Sequence, residues 1–243
     1  MELAFINLVS AKWAEYFPGR ELPIAVFYSD TLQSAAYPEK PAPNPRGYTC
    51  LFAQMARIHR GEAVAFDPEN LGCFGSMRSL YGGEYNEEAT VNLLVNIEHF
   101  KKNRELTNAM NEVNPPAKPR GRYLILKPFN TLTEADNPEV IVFFGNPDMI
   151  SALHTWASFD NTRLDNVIVP HGAGCECMFT FAFSEAGSET PRCVLGGMDT
   201  AMRGCLKPDQ QTFSIPFKRF VQMMEFIDGT FLNTYIWKSL SKR

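Results

Sequence analysis

Two kinds of apolar pattern alternate along this chain. Helical spacing comes first: Phe5, Leu8, Val9, Trp13 and Tyr16 share one face of residues 3–16, which Pro18-Gly19 terminates. A continuous run follows. Ile24-Ala25-Val26-Phe27-Tyr28 is apolar at every position, as a strand buried on both faces must be, and residues 140–144 repeat that pattern. Shorter strand-like runs occupy 63–66, 123–126, 167–170, 193–195 and 213–215. Helices are expected at 51–60 (Leu51, Met55 and Ile58 on one face, Thr49 as N-cap), from about residue 87 (Val91, Leu94, Val95, Phe100), through 146–156 behind Asn146-Pro147-Asp148, and from Pro216 (Phe217, Phe220, Val221, Met224). Residues 178–185 fit both periods, since Phe179, Phe181 and Phe183 alternate while Met178, Phe181 and Ala182 suit a helix.

Prolines and glycines punctuate these segments. Pro38, Pro41, Pro43 and Pro45 make 36–47 an irregular surface loop, and Asn114-Pro115-Pro116-Ala117-Lys118-Pro119 breaks the chain near its middle. The sequence therefore predicts an α/β or α+β fold: one domain over 1–243, built from two similar half-domains (22–113 and 120–225) around a mixed β-sheet flanked by helices, with a C-terminal helix over 226–240. A weak internal repeat supports the halves. The run 24–28 answers 140–144, Cys50 answers Cys175 or Cys177, and Gly72-Cys73-Phe74-Gly75 answers Cys193-Val194-Leu195-Gly196-Gly197.

Composition narrows the classes. An apolar fraction of 45% and a charged fraction of 21% are those of a globular chain. No run approaches 18 apolar residues, so no membrane span is expected. The N-terminus lacks a basic region before its apolar residues, so a signal peptide is not expected and a cytoplasmic location is. Net charge is −4, yet 101–127 holds seven basic residues against Glu105 and Glu112. A nucleic-acid face would add interleaved aromatics and a basic total; only Tyr123 lies in this stretch, which reads as a solvated helix end and linker.

Candidate chemistry gathers in a few small-residue segments. In His171-Gly172-Ala173-Gly174-Cys175-Glu176-Cys177, a strand leads through glycines towards a helix, where backbone N–H groups can cradle an anion. It is not a dinucleotide fingerprint, because Cys177 stands where the third glycine would be. Gly196-Gly197 with Arg203 offers a second turn and a guanidinium able to grip a carboxylate or phosphate. Gly172, Gly174, Cys175, Gly196, Gly197 and Arg203 are accordingly the candidate ligand-binding residues. Cys50, Cys73, Cys175, Cys177 and His171 are the candidate metal ligands, although no Cys-x2-Cys pair is present. Thiolate catalysis by Cys50 or Cys177 at a helix start, with His171 as base, uses the same residues, and small buried hydrophobes are the alternative.

These segments also carry a resemblance. Cys50-Leu51-Phe52-Ala53-Gln54-Met55-Ala56-Arg57 with Gly61-Glu62, then Gly72-Cys73-Phe74-Gly75-Ser76, resembles the N-terminal signature of the domain of unknown function 169 family. The run 140–144 with Asn146-Pro147, Gly174-Cys175-Glu176-Cys177, Gly196-Gly197 through Arg203, and Phe213-Ser214-Ile215-Pro216 resemble its later blocks, in the same order across about 22–225. The chain departs at Phe74, where the family pattern would have proline, and its C-terminal half holds more cysteine than the pattern needs. The resemblance implies a stand-alone prokaryotic cytoplasmic protein and carries no reaction with it.

The leading functional expectation is a small anionic metabolite or cofactor of unknown identity, bound between the halves. The alternative is a cysteine-dependent enzyme or a metal or iron–sulfur protein using Cys50, Cys73, Cys175 and Cys177. A small-molecule ligand is the expected partner, with neither nucleic acid nor membrane, and the apolar segment 231–240 offers a surface for a homo-oligomer. The chain has six cysteines, and a reducing compartment keeps such thiols free. Titration of the denatured protein without reductant is expected to find all of them, and a reproducible native disulfide, for example Cys175 to Cys193, would overturn the compartment argument.

Overall fold

A computed structural model describes residues 1–33, 35, 51–55, 58, 61–114 and 116–242; the helix start expected at Cys50 and most of the proline-rich loop lie outside them. Seven strands form one sheet in the order β2-β3-β1-β4-β7-β6-β5. These are β1 (Ile24–Ser29), β2 (Val64–Phe66), β3 (Tyr123–Pro128), β4 (Val140–Gly145), β5 (Val167–Ile168), β6 (Cys193–Gly196) and β7 (Gln211–Pro216). Every pairing is antiparallel except β5 with β6. Eight α-helices among the described residues accompany the sheet: α1 (Leu3–Tyr16), α2 (Phe74–Tyr81), α3 (Glu87–Val91), α4 (Arg104–Val113), α5 (Pro147–Ala157), α6 (Phe181–Ala186), α7 (Phe217–Glu225) and α8 (Tyr235–Leu240). The molecule is a single α+β domain, in agreement with the expected class.

The two continuous apolar runs take the centre. β1 and β4 are neighbours, and alternate residues feed opposite cores, as the two-residue period of a strand requires. Ala25, Phe27, Ile141 and Phe143 pack with α1, α5, α7 and α8, where Trp13, Trp156, Phe220 and Trp237 are buried. Ile24, Val26, Val140 and Val142 pack on the other side with Phe52, Met55, Leu80, Met178 and Phe179. Each fully buried large side chain contributes about 1.5–3 kcal/mol. The sheet is thus the middle of three layers.

Strand pairing uses one register twice. In β1 with β3, Ile24 faces Pro128; in β4 with β7, Val140 faces Pro216. Just beyond each proline the next amide closes the same contact, Phe129 N–H to the Pro23 carbonyl (3.0 Å) and Phe217 N–H to the Glu139 carbonyl (2.8 Å). The outer strands follow suit, with Val64 facing Leu126 and Val194 facing Ser214. In this register Cys193 and its neighbours correspond to β2, not to Gly72-Cys73, and β3 pairs with the strands that precede the 114–119 break.

Local departures from the sequence pattern have simple causes. Residues 74–81 form a short helix in which Ser76 and Ser79 are buried beside Leu80. The helix that starts at Glu87 stops being α-helical at Asn92, where a π-helical turn (Asn92–Ile97) takes over, and α4 is a separate element capped by Asn103. Residues 178–185 resolve as helix, the π-helical turn Glu176–Thr180 running into α6. In the C-terminal segment Leu232 and Trp237 turn into the chain's own core, and Tyr235 and Ile236 remain exposed. No helix among the described residues is long and apolar enough to cross a membrane.

One buried ion pair fastens the sheet end. Lys127 Nζ donates to Asp136 Oδ2 at 2.7 Å with both side chains almost completely buried, and the same oxygen accepts from the Thr133 amide at 2.7 Å. Removing one member strands a charge in the interior. Lys127→Ala is expected to cost about 3–5 kcal/mol in urea unfolding, while Lys127→Met combined with Asp136→Leu costs much less. Equal losses in the two proteins would contradict that account.

Candidate functional site

A cavity of about 160 Å³ opens between α2–α4 on one side and residues 171–176 and 199–202 on the other. The chain reaches it from β2 through a turn in which Asp67 Oδ1 accepts from the amides of Glu69 (2.9 Å) and Asn70 (3.2 Å). Helix α2 starts at Cys73 in extended conformation and ends at Gly82, whose φ of +68° lets its amide reach back to the Arg78 carbonyl. Two serines on the buried face let α2 lie against the helix that begins at Gly174. Ser76 Oγ meets Cys175 Sγ at 3.5 Å, and Thr180 Oγ1 donates to the Ser79 carbonyl at 3.3 Å. Asn114, just after α4, closes the far end by donating to Glu176 Oε1 at 2.9 Å.

Two acids of the cavity wall, Glu176 and Asp199, are engaged with backbone. Glu176 Oε2 accepts from the Ala173 amide at 2.8 Å, Asp199 Oδ2 from the Gly174 amide at 2.8 Å, and Asp199 Oδ1 from the Ala201 amide at 2.9 Å. These carboxylates occupy the N-terminus of the helix starting at Gly174 and satisfy its first donors. Burial pushes the Glu176 carboxyl above its ordinary pKa, and the neighbouring Asp199 charge adds to this, against the opposing pull of its hydrogen bonds and of Arg78. The cations differ. Arg78 lies over the Tyr85 ring at 5.2 Å from its centre. Neither the Arg78 guanidinium nor the Lys101 ammonium has a hydrogen-bond or ion-pair partner among the described residues, and both line the cavity. Ser79 Oγ, on a residue 4% exposed, is likewise without a hydrogen bond there.

The residues singled out in the sequence divide into two groups. Cys73, His171, Gly172, Gly174 and Cys175 line the cavity together. Cys177, Gly196, Gly197 and Arg203 do not line it. Cys177 points behind the wall, its thiol donating to the Pro170 carbonyl (3.3 Å) and to that of Gly172 (3.6 Å). Burial, aided by the Glu176 and Asp199 charges, pushes its pKa up to about 12, so the group stays a neutral thiol. Gly196 is required by packing, since a Cβ there would sit 2.6 Å from Thr212 Oγ1 and 3.2 Å from Cys177 Cβ. Gly197 takes a φ of +82°. Arg203 gives its guanidinium to four carbonyls, those of Gly197, Gln210, Lys207 and Pro208, and so ties the 197–210 loop together.

The glycines of the 171–177 turn serve close approach of protein to protein. A Cβ on Gly172 would meet Glu176 Oε2 at 2.7 Å, and one on Gly174 would meet the Phe52 ring at 3.0 Å. Among the described residues no group of three or more His, Cys, Asp or Glu side chains is placed to hold a metal ion; Cys50 lies outside them. Arg78, Lys101, Ser79 and Asn114 were not distinguishable as site residues in the sequence. No motif marks them, and only the fold of the 74–114 arm brings them onto one wall.

The sequence pattern of the DUF169 family, described as uncharacterised ArCR, matches residues 15–225. No curated protein and no solved structure matches the chain.

The Glu176 shift has a measurable sign. A carboxyl whose pKa is raised by folding keeps its proton to higher pH in the folded state, so its contribution to stability falls as pH rises through the carboxylate range and just above. Glu176→Gln keeps an acceptor for the Ala173 amide and has no proton to lose. Urea unfolding between about pH 4 and 7 should show the variant gaining stability relative to the parent as pH rises, and a pH-independent difference would refute the assignment.

Proposed function

The chain belongs to the DUF169 family, whose description assigns no activity, and from the cavity itself we propose that it binds a small anionic metabolite or cofactor between α2–α4 and the 171–176 and 199–202 loops. One observation carries this reading: two cationic side chains, Arg78 and Lys101, line a concave site without a hydrogen-bond or ion-pair partner among the described residues. Arg78 already has the Tyr85 ring and the attraction of Glu176, and an anionic ligand would supply the charged hydrogen bonds that both cations lack. Gly172, Gly174 and Cys175 shape the wall. Gly196, Gly197 and Arg203 support it from behind through the packing of Cys177 on Gly196 and the loop that Arg203 closes.

Cysteine chemistry is the second reading, and one observation favours it. Cys73, partly exposed, and the exposed His171 line the same cavity. A metal bound with Cys50 and Cys175 would be a version of the same reading.

Elemental analysis, an ultraviolet–visible spectrum and mass spectrometry of the denatured extract separate the two. An organic anion without metal supports the first reading, and bound zinc or iron supports the second. Arg78→Ala is expected to weaken retention of the anion by about 1.5–3 kcal/mol, the range for a hydrogen bond to a charged group; retention unchanged in that variant would overturn the role of Arg78.

A further inference from the structure

Resting on that reading, we propose that the ligand is an amphipathic monoanion: a single carboxylate joined to a compact apolar body of about one ring or a short acyl chain. The arm that carries the cations also lines the cavity with apolar side chains. Phe74, Leu93, Leu94, Phe100 and Met110 line the cavity, yet none of them belongs to either buried core of the described residues. Phe74 is 43% exposed, and the π-helical turn carrying Leu93 and Leu94 has no buried residue at all. Apolar side chains gathered around a hollow and left out of the core are what an apolar guest would cover. A π-helical turn is itself found often at functional sites.

Volume sets the size of that guest. An apolar cavity of about 150 Å³ accepts a benzene molecule, and this one is about 160 Å³. Charge sets its head group. Arg78 and Lys101 attract an anion, but Glu84, Glu98, Glu176 and Asp199 line the same space. Each additional negative charge on a ligand would therefore meet repulsion from the carboxylates of the same lining, which favours one charge over the two of a phosphate monoester. Ser79 is also a residue of this wall, and its buried hydroxyl has no hydrogen bond among the described residues.

Titration calorimetry on the full chain tests this with benzoate and hexanoate as probes, and with acetate, inorganic phosphate and benzyl alcohol as comparisons. The expected result is that benzoate or hexanoate binds at least about tenfold more tightly than any of the three comparisons, and that Arg78→Ala weakens it by about tenfold or more. Phe74→Ser, a change at an exposed position, should weaken benzoate and leave acetate unchanged. Should Arg78→Ala fail to give a native circular dichroism spectrum, Lys101→Ala takes its place with the same expectation. Acetate or phosphate binding as tightly as benzoate would overturn the apolar body and leave the anion reading standing. Benzyl alcohol binding as tightly as benzoate would overturn the anion reading, and with it the monoanion. No binding of either carboxylate would overturn the inference as a whole.

Discussion

The antiparallel pairing of β1 with β4 is the constraint on which the rest of the structure depends. Both strands are apolar at nearly every position, so neither face of the sheet can be left to water. Two helical layers follow from that, one on each side. Each central strand then adds a partner in the same register, β3 beside β1 and β7 beside β4, and each partner adds a shorter outer strand. What falls outside this doubled arrangement is the long connection from β2 to β3. It carries α2, α3 and α4, and it closes over the edge of the helical layer formed by residues 174–186. The cavity exists because that connection has no counterpart between β6 and β7, where Arg203 draws a much shorter loop tight against the sheet end.

How far the sequence discloses this depends on what each segment buries. Strands buried on both faces announce themselves as unbroken apolar runs, and β1 and β4 are readable for that reason. Helix α5 is readable because Asn146 accepts from the Met149 amide and Pro147 stands at the first helical position, the residue types that start helices. Helix α2 is not readable. Its apolar residues Phe74, Met77, Leu80 and Tyr81 do recur at helical spacing, but the segment is only eight residues long, has glycine at its second position, and buries two serines beside Leu80. The break inside 87–113 is hidden for another reason: a π-helical turn shifts the phase of the apolar positions, and Val91, Leu94 and Val95 no longer describe one face. β5 is shorter than its apolar run because only Val167 and Ile168 find a partner in β6.

The site was half legible for similar reasons. Glycine marks places where something comes close, and the sequence cannot say what. At Gly172 it is the Glu176 carboxylate, and at Gly174 the Phe52 ring. The expected anion cradle at this turn therefore has its donors already engaged: Glu176 takes the Ala173 amide and Asp199 that of Gly174. Arg203 is likewise committed, to backbone carbonyls rather than to the cavity. The cationic side chains that do line the cavity are Arg78 and Lys101, two ordinary basic residues more than twenty positions apart that no spacing rule connects. The cysteines divide along the same line. Cys177 and Cys193, whose pKa values burial pushes up to about 12, behave as small hydrophobes, while Cys73 stands in the cavity wall.

The 84–114 arm has a weak claim to order of its own. Val91 is the only buried residue of α3, and Thr107 the only one of α4. Arg104 pairs with Glu87 and Glu88 at 2.6 and 2.8 Å, but all three side chains are substantially exposed, and such pairs contribute little in water. The firmer attachments are few: Asn114 on Glu176 at one end, and the caps supplied by Asn86 and Asn103. Leu93, Leu94, Phe100 and Met110 line the cavity and lie outside both buried cores. An arm with so little internal burial belongs to the low-stability part of a fold, from which moving elements around binding sites are drawn. On the proposed reading, a ligand in the cavity would complete the packing of the arm as well as pair with Lys101 on it, and so couple binding to the order of the arm.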